Sequence, residues 1–367
     1  MRKLFFYKPL RDLVMQPMIK QSSYSAHPTT LRDLDQQAFS ALAEPHRREL
    51  QVHCYRMVGS VQEAEDLAQE TLWRAWRRRE TYEGRAPFRA WLYKIATNLC
   101  LDALKQRPRR SLPTSRRLAA TLDEPIPAAS TEPAYMWLEP FPDDLLAPEE
   151  ANPEARFSRR ESVTLAFMAS LHLLPPRQRA VLILRDVLDW QASEVAELLG
   201  QTVPAVKSAL HRARATLAHH YQAVRVEDMS TPVLDERRRR QLDRYVQAWE
   251  SADVDGLLAL LKADATFSMP PTPAWYRGRD TIGRLVTATI FSGSARGRWR
   301  LQPTRVSGQL GFCLYRLDEV KGVYSAYGIQ VVTFDGEQIA DITTFRNPAL
   351  AAFFHLPTTT RTFSPIV

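Results

Sequence analysis

Residues 118–155 carry seven prolines and nine acidic side chains, without one lysine or arginine. Proline removes a backbone donor and clashes with the preceding turn, so neither a long helix nor a central strand can cross such a stretch. With charge of a single sign, the segment reads as a tether that cannot form a packed core. Its midsection, AYMWLEPFPDDLL, is nevertheless apolar enough to dock on something. The 367 residues therefore fall into separate blocks on either side of it.

Ahead of the tether, from Phe39 to Arg107, helical periodicity runs throughout. ALAEPHRRELQVHCYRMVGS gives one helix carrying Leu50, His53, Cys54 and Met57, stopped at Gly59. In VQEAEDLAQETLWRAWRRRE, Ala64, Leu67, Ala68, Leu72 and Ala75 form the inward stripe, while Asp66, Gln69, Glu70, Trp73 and Arg77 share another face. After the loop ETYEGRAPF comes FRAWLYKIATNLCLDALKQRPRR. Its core set is Phe88, Leu92, Ile95 and Leu99, with Asn98, Asp102 and Lys105 opposite. Trp73, Trp76, Tyr82, Phe88, Trp91 and Tyr93 interleave with arginines. Stacking surfaces beside positive charge hold unpaired bases; aromatics at this spacing also serve as core.

Behind the tether, ARFSRRESVTLAFMASLHLL resumes as a helix and leads into residues 173–217. After Pro175 and Pro176, Val181, Leu182 and Leu184 start an apolar stripe, which Ala192, Val195, Ala196 and Leu199 continue on a second helix. Gly200 supplies a stop, Thr202 a cap, and Pro204 sits in a first turn where its missing N–H costs nothing. Val206, Leu210, Ala213 and Leu217 point inward, leaving Pro204, Ala205, Lys207, Ser208, His211, Arg212 and Arg214 outside. This is a helix-turn-helix with a major-groove reader; a plain helical hairpin with a solvated basic face shares the pattern.

Past a short charged joint, VEDMSTPVLDERRRR, the pattern changes. Leu242, Tyr245, Val246, Trp249, Leu257, Leu258 and Leu261 mark two helices. RWRLQPTRV, LGFCLYRL and VYSAYGIQVVTF read as strands, and Asp335-Gly336 as a hairpin turn. Helices followed by a curved antiparallel meander form an α+β cone with an internal pocket.

The formal charge of +8 points to a polyanionic partner. Cys54, Cys100 and Cys313 lie far apart in apolar surroundings, which fits small core residues in a reducing compartment rather than disulfides or a zinc site. No apolar run reaches membrane-spanning length, and Lys8, Arg11 and Asp12 interrupt what would otherwise resemble a signal peptide. Residues 1–34 are read as a poorly ordered extension, with Met18 an alternative start, and the protein as cytoplasmic. No metal ligand set or cofactor is expected.

With both helical blocks in view, the chain resembles a bacterial sigma-70-type RNA polymerase sigma factor of the extracytoplasmic-function (ECF) group. AEDLAQETLWRAWRR and FRAWLYKIATNLCLDALKQR look like sigma region 2, the helix-turn-helix looks like region 4, and DATFSMPPTPAWYRGRD resembles the SnoaL-like domain fused to one subgroup, whose linker WLEPFPDDLL also resembles. The expected organisation is an extension (1–34), region 2 (35–110), acidic linker (111–155), region 4 (156–226), an α+β NTF2/SnoaL-like cone (227–357) and a tail (358–367).

The resemblance implies partners for particular residues. Asp66, Gln69, Glu70 and Arg74 would meet the clamp helices of the polymerase largest subunit, and Arg177 and Gln178 its flap. The loop 80–87, with Tyr82 and Arg85, would capture a flipped base of the −10 element; Arg89, Asn98, Asp102 and Lys105 would line the opened strand. Thr202, Pro204, Ala205, Lys207, Ser208, His211 and Arg212 would face the −35 element, Lys207, Arg212 and Arg214 on phosphates, Ala205, Ser208 and His211 on base edges. The acidic linker would thread the polymerase cleft, where Asp143, Asp144, Glu149 and Glu150 imitate nucleic acid.

SnoaL-like domains include enzymes, so catalysis in the tail has to be weighed. No histidine lies between Tyr221 and Phe354. Asp264 reads as a helix-end residue, Asp280 as a helix cap, and Asp341 as a strand residue facing either way. Trp275, Tyr276 and Tyr327 are candidates for lining a ligand pocket. The expected function is a sigma factor, not an enzyme, whose tail modulates its activity by sensing a ligand or clasping the sigma helices. The alternative is a helix-turn-helix regulator with a ligand-binding or cyclase/isomerase-like tail.

Overall fold

Pro45 splits what the sequence suggests is one helix. α1 (Gln36–Ala43) ends before it, a single tight turn covers Glu44–His46, and α2 (Arg47–Val58) starts afresh. Gly59 stops α2 with φ at 74°, and the Ser60 hydroxyl caps α3 (Val61–Arg77) by accepting from the Glu63 N–H. α4 (Phe88–Ala103) follows the expected loop. The computed structural model describes residues 31–105, 109–115, 118–120, 133–146, 162–221, 236–293 and 295–363. They form two units: one runs to Arg109 and includes Leu145–Val224, the other comprises Arg110–Asp144 and Arg225–Val367.

In the first unit α2 is the central helix. Every residue from Leu50 to Val58 is buried, Gln51, His53 and Arg56 among them. The second half of the unit holds α5 (Leu165–His172), α6 (Pro176–Leu182) with a wider turn over Ile183–Val187, α7 (Ala192–Leu199) and α8 (Val203–Tyr221). Gly200, φ 61°, turns the chain between α7 and α8. Arg56 Nη2 donates to Ser162 Oγ at 2.5 Å, and the Tyr93 and Trp190 rings lie 5.2 Å apart, so the two helical blocks share one packed body. The expected helix over 156–171 is seen from Leu165 onward; residues 147–161 lie outside the described residues, Glu149 and Glu150 with them. So do residues 1–30 of the expected extension, whereas Leu31 is buried.

The second unit contains α9 (Glu236–Ser251), α10 (Val254–Leu260), β1 (Leu261–Ser268), β2 (Trp275–Arg277), α11 (Arg279–Ala288), β3 (Trp299–Val306), β4 (Gln309–Asp318), β5 (Val323–Asp335), β6 (Gln338–Phe345), α12 (Leu350–Phe353) and β7 (Thr359–Thr360). The sheet order is β2-β1-β6-β5-β4-β3, with β7 also on β5. The meander over β3–β6 is antiparallel as expected, but β1 joins β6 in parallel, a pairing between distant segments that no local pattern announces. Phe267, Phe312, Val332 and Ile342 share a core with Trp249, Leu257 and Leu285 from the helices. Val331, Ile329 and Cys313, one residue out of step, are buried on the other face. The tail expected from residue 358 is partly built in: Thr359 and Thr360 pair with Ser325 and Tyr324, and Phe363 stacks edge-on to Tyr315.

The apolar midsection of the tether is docked, as its composition suggests, on a seat that the sequence does not name. Trp137, Leu138 and Phe141 are buried, and the segment meets both edge strands of the sheet. Ala120 N–H donates to Trp275 O on β2 at 2.8 Å. At the far edge Pro142 bridges Val306, Ser307 N–H donates to Phe141 O at 2.7 Å, and Phe141 N–H donates to Ser307 Oγ at 2.9 Å. Asp143, expected to present charge, accepts from the Gly308 N–H at 2.8 Å. Pro140 and Pro142 hold this stretch extended and bring no N–H needing a partner, which suits a strand laid on an edge. The segment is thus too short of residues for its own core, and borrows one. Residues 121–132 lie outside the described residues.

Candidate DNA and polymerase surfaces

The outward side of α8 is set by what its other side buries. Val206, Ala209, Leu210, Ala213 and Leu217 are buried, which leaves Thr202, Pro204, Ala205, Lys207, Ser208, His211 and Arg212 all exposed. Thr202 Oγ1 accepts from the Ala205 N–H at 3.3 Å, and Arg212 Nη1 donates to Ser208 Oγ at 2.7 Å. Arg214 differs from the expectation of a phosphate contact: both its ends are held by the Asp186 carboxylate, at 2.6 and 2.8 Å. A bidentate pair of this kind fixes the guanidinium within the domain.

Arg177 is exposed and Gln178 half-buried at the start of α6. Next to them in α6 is Arg179, a buried arginine that helical spacing does not single out. It is only 2% exposed, and donates to Met57 O, His172 O and Leu174 O. The Met57 and His172 carbonyls belong to the C-terminal ends of α2 and α5, whose dipoles favour a cation, and Leu174 lies just past α5. Burial, with Arg109 nearby, pulls its pKa down to about 9, so it stays charged at neutral pH.

On α3, Asp66 and Gln69 are exposed, and Glu70 and Arg74 pair at 2.6 Å. They lie within one helical stripe, as their spacing requires. Trp73 shares it, half exposed at 50%, with the Arg77 guanidinium 4.7 Å above its ring. Trp73, Arg74, Arg77 and Arg78 line a cavity of about 300 Å³. Helical spacing alone places Trp73 and Arg77 on the face of Asp66.

The strand-lining set is less uniform. Arg85 is exposed and pairs with Glu83 at 2.8 Å; Asn98 is exposed; Asp102 and Lys105 pair at 2.7 Å. Lys94, one turn before Asn98, is also exposed. Tyr82, in contrast, is buried: its hydroxyl donates to Ala86 O at 2.8 Å and its ring packs on Phe88 and Trp91. It shapes the loop from inside. Arg89 is drawn inward too, donating to Glu49 at 2.7 Å with its guanidinium 5.0 Å from the Tyr93 ring. Burial alone would raise the Glu49 pKa, but bonds from His46 and Arg89 outweigh it and hold the carboxyl at about 2. Trp76 packs on Phe39, so the aromatic series is largely core.

In the α+β unit, Trp275 and Tyr276 are consecutive residues of one strand and point to opposite faces. Tyr276 belongs to the core, with Tyr327 packed against it and edge-on to Trp299 at 5.0 Å. Trp275 therefore cannot line a pocket together with the other two. On the core face Tyr245 OH donates to Gln330 Oε1 at 2.7 Å, and Gln330 Nε2 to Thr344 Oγ1 at 2.9 Å. Asp341 lies one residue out of step from Ile342, and accepts from Thr266 and Thr343; burial raises its pKa. Asp264 is a strand residue rather than a helix end, and Asp280 sits inside the first turn of α11 while Gly278 occupies the cap.

Residues 42–110 match Sigma-70 region 2, residues 164–217 match Sigma-70 region 4, and residues 242–342 match the SnoaL-like domain. The class is therefore that of sigma-70-type transcription factors. The ECF RNA polymerase sigma factor SigG of Mycobacterium tuberculosis is 40% identical over 322 residues, 87% of this chain and 84% of that protein. The ECF RNA polymerase sigma factor SigW of Bacillus subtilis is 31% identical over 183 residues, 50% of this chain and 88% of that protein. The crystal structure of the M. tuberculosis ECF sigma factor SigJ shares the fold, with a TM-score of 0.51 and 23% identity over 87% of this chain and 99% of that one. The chain belongs to the ECF RNA polymerase sigma factors: it is a polymerase-binding, promoter-recognition factor with a SnoaL-like C-terminal domain. Among the described residues no helix is long and apolar enough to cross a membrane.

Proposed function

We propose that the chain opens promoters by dividing the task between DNA-facing and polymerase-facing surfaces. The exposed side of α8 reads the −35 element, with Lys207 and Arg212 on phosphates and Ala205, Ser208 and His211 at base edges. The α3 stripe of Asp66, Gln69, Glu70 and Arg74, extended by Trp73 and Arg77, docks on the polymerase clamp helices, and Arg177 and Gln178 on the flap. Arg85, Asn98, Asp102 and Lys105 follow the opened strand, with Tyr82 and Arg89 shaping the −10 loop from within. The action is cytoplasmic, where the polymerase works. The observation that carries this reading is the pair of solvent-facing stripes on α3 and α8, each backed by a buried stripe.

The C-terminal domain modulates this activity by holding the linker. Burying Trp137, Leu138 and Phe141 contributes roughly 2–3 kcal/mol each, and ordering the seven residues from Trp137 to Asp143 costs roughly 1–1.5 kcal/mol each. The two nearly cancel, with Pro140 and Pro142 lowering the cost. A linker held this lightly can be released to a competing partner such as the polymerase cleft. Catalysis in this domain is disfavoured because the polar groups on its core face, Tyr245, Gln330 and Thr344, already satisfy one another. Core polymerase, a promoter template and the purified chain provide the test: specific initiation with strand opening is expected. A chain that binds duplex DNA without supporting initiation would instead be a conventional regulator.

A further inference from the structure

The first turns of α9 contain four consecutive arginines, Arg237 to Arg240, followed by Arg244. The first turn is the positive end of the helix dipole, where the cations Arg237, Arg238 and Arg239 each cost rather than contribute, by roughly 0.3–1 kcal/mol. Two of the five have internal work. Arg237 pairs with Glu337, and Arg238 donates to Gly336 O with its guanidinium 4.1 Å from the Phe334 ring. Arg239, Arg240 and Arg244 are exposed. Glu236 and Asp243 stand four residues from Arg240 and Arg239, the spacing at which helical ion pairs form, yet no such pair closes within 4 Å among the described residues. Arg240 and Arg244 are themselves a like-charged pair one turn apart, an arrangement that weakens an isolated helix.

Position in the chain says which anion this surface meets. Only the fourteen residues 222–235 separate the end of α8, the −35 reader, from the start of α9. Fully extended they reach no more than about 50 Å. Once α8 lies in the major groove, the arginines are tethered beside the same duplex at high effective concentration. We propose that Arg239, Arg240 and Arg244 form an additional DNA-backbone contact, made by the C-terminal domain to phosphates upstream of the −35 element. The contact is sequence-independent and adds affinity and salt sensitivity to promoter binding.

Holoenzyme assembled from core polymerase and the full chain tests this, with Arg239→Gln/Arg240→Gln/Arg244→Gln against wild type. Equilibrium binding to a promoter is measured from low to physiological salt, on a template with upstream duplex and on one cut immediately before the −35 element. Each lost phosphate contact makes the slope of log K against log salt shallower by about 0.9. The expected result is a slope shallower by about 1–3 and at least a severalfold loss of affinity on the long template, with no difference on the short one. An unchanged slope on the long template overturns the proposal. So does an equal loss on both templates, which would assign the patch to an acidic protein surface of the polymerase. Matching thermal unfolding and core-polymerase affinity of the variant exclude a folding defect as the cause.

Discussion

His53 shows how a single buried side chain sets the pH range of the region 2 bundle. It is fully buried, with Nε2 and Thr97 Oγ1 2.9 Å apart, and burial, reinforced by Arg56, lowers its pKa from 6.5 to about 3. The unfolded chain therefore takes up the proton first. Stability present above pH 6.5 is lost as pH falls towards 3, by about 2 kcal/mol at pH 5. Protection of the α2 amides against exchange, measured across urea at pH 7.5 and 5, should show this loss, and His53→Gln should remove most of the pH step. Glu49 acts in a lower window: its folded pKa of about 2 lies below the ordinary 4.5, so its contribution is complete above 4.5 and fades towards pH 2. On the DNA side, Lys207→Ala should weaken binding evenly across promoter sequences and reduce the salt slope by about 1. His211→Ala should instead relax preference at one −35 position, a loss of about 1–3 kcal/mol in discrimination. Sequence spacing assigned these outward residues well, because one buried stripe fixes the opposite side of a helix. It missed Arg179 and the burial of Arg56, since a charged residue enclosed from several helices leaves no trace in the period of any one of them.

At the scale of elements, the helix-turn-helix depends on the left-handed backbone at Gly200. A Cβ there would meet nothing within 4 Å, so Gly200→Ala carries strain alone, about 1–2 kcal/mol for an L residue at φ 61°. Urea unfolding of region 4 should register that loss, while DNA contacts along α8 keep their geometry in the folded fraction; an unaltered midpoint would mean that the turn relaxes by another route. Helices α3, α4, α7 and α8 and strands β3 to β6 were legible because each repeats an apolar residue at its own period. Pro45 was read through rather than as a break, although its missing donor is a local signal. The pairing of Trp275 with Tyr276 in one pocket failed for a reason also present in the sequence, because neighbours in a strand face opposite ways. The parallel β1–β6 pair had no such signal: its partners, such as Thr266 and Asp341 or Leu261 and Ile339, lie more than seventy positions apart, and only the closed sheet brings them together.

For the whole molecule, composition marks the acidic tether as unable to form a core of its own and its midsection as apolar enough to dock, and Trp137, Leu138 and Phe141 are indeed buried, but nothing in composition names the edge strands it meets. Its prolines rule out regular structure of its own but not a seat on another domain's edge. This matters for how the C-terminal domain is tested. Removing residues 235–367 takes away the domain and at the same time the strand end to which Phe141 and Pro142 are bonded, so altered transcription after truncation has two causes. Phe141→Asp in the full chain separates them. A carboxylate cannot occupy a fully buried apolar site without a cost of several kcal/mol, more than the near-balanced docking can bear. Proteolysis between Trp137 and Asp143 should accelerate by up to about twofold, the limit for a docking balance near zero, while the sheet and its helices, which do not depend on Phe141 for their core, remain folded. Promoter output should then shift in the same direction as on truncation. A freed linker with unchanged transcription would locate the domain's influence elsewhere, and the first place to measure would be the duplex upstream of the −35 element, where Arg239, Arg240 and Arg244 can reach.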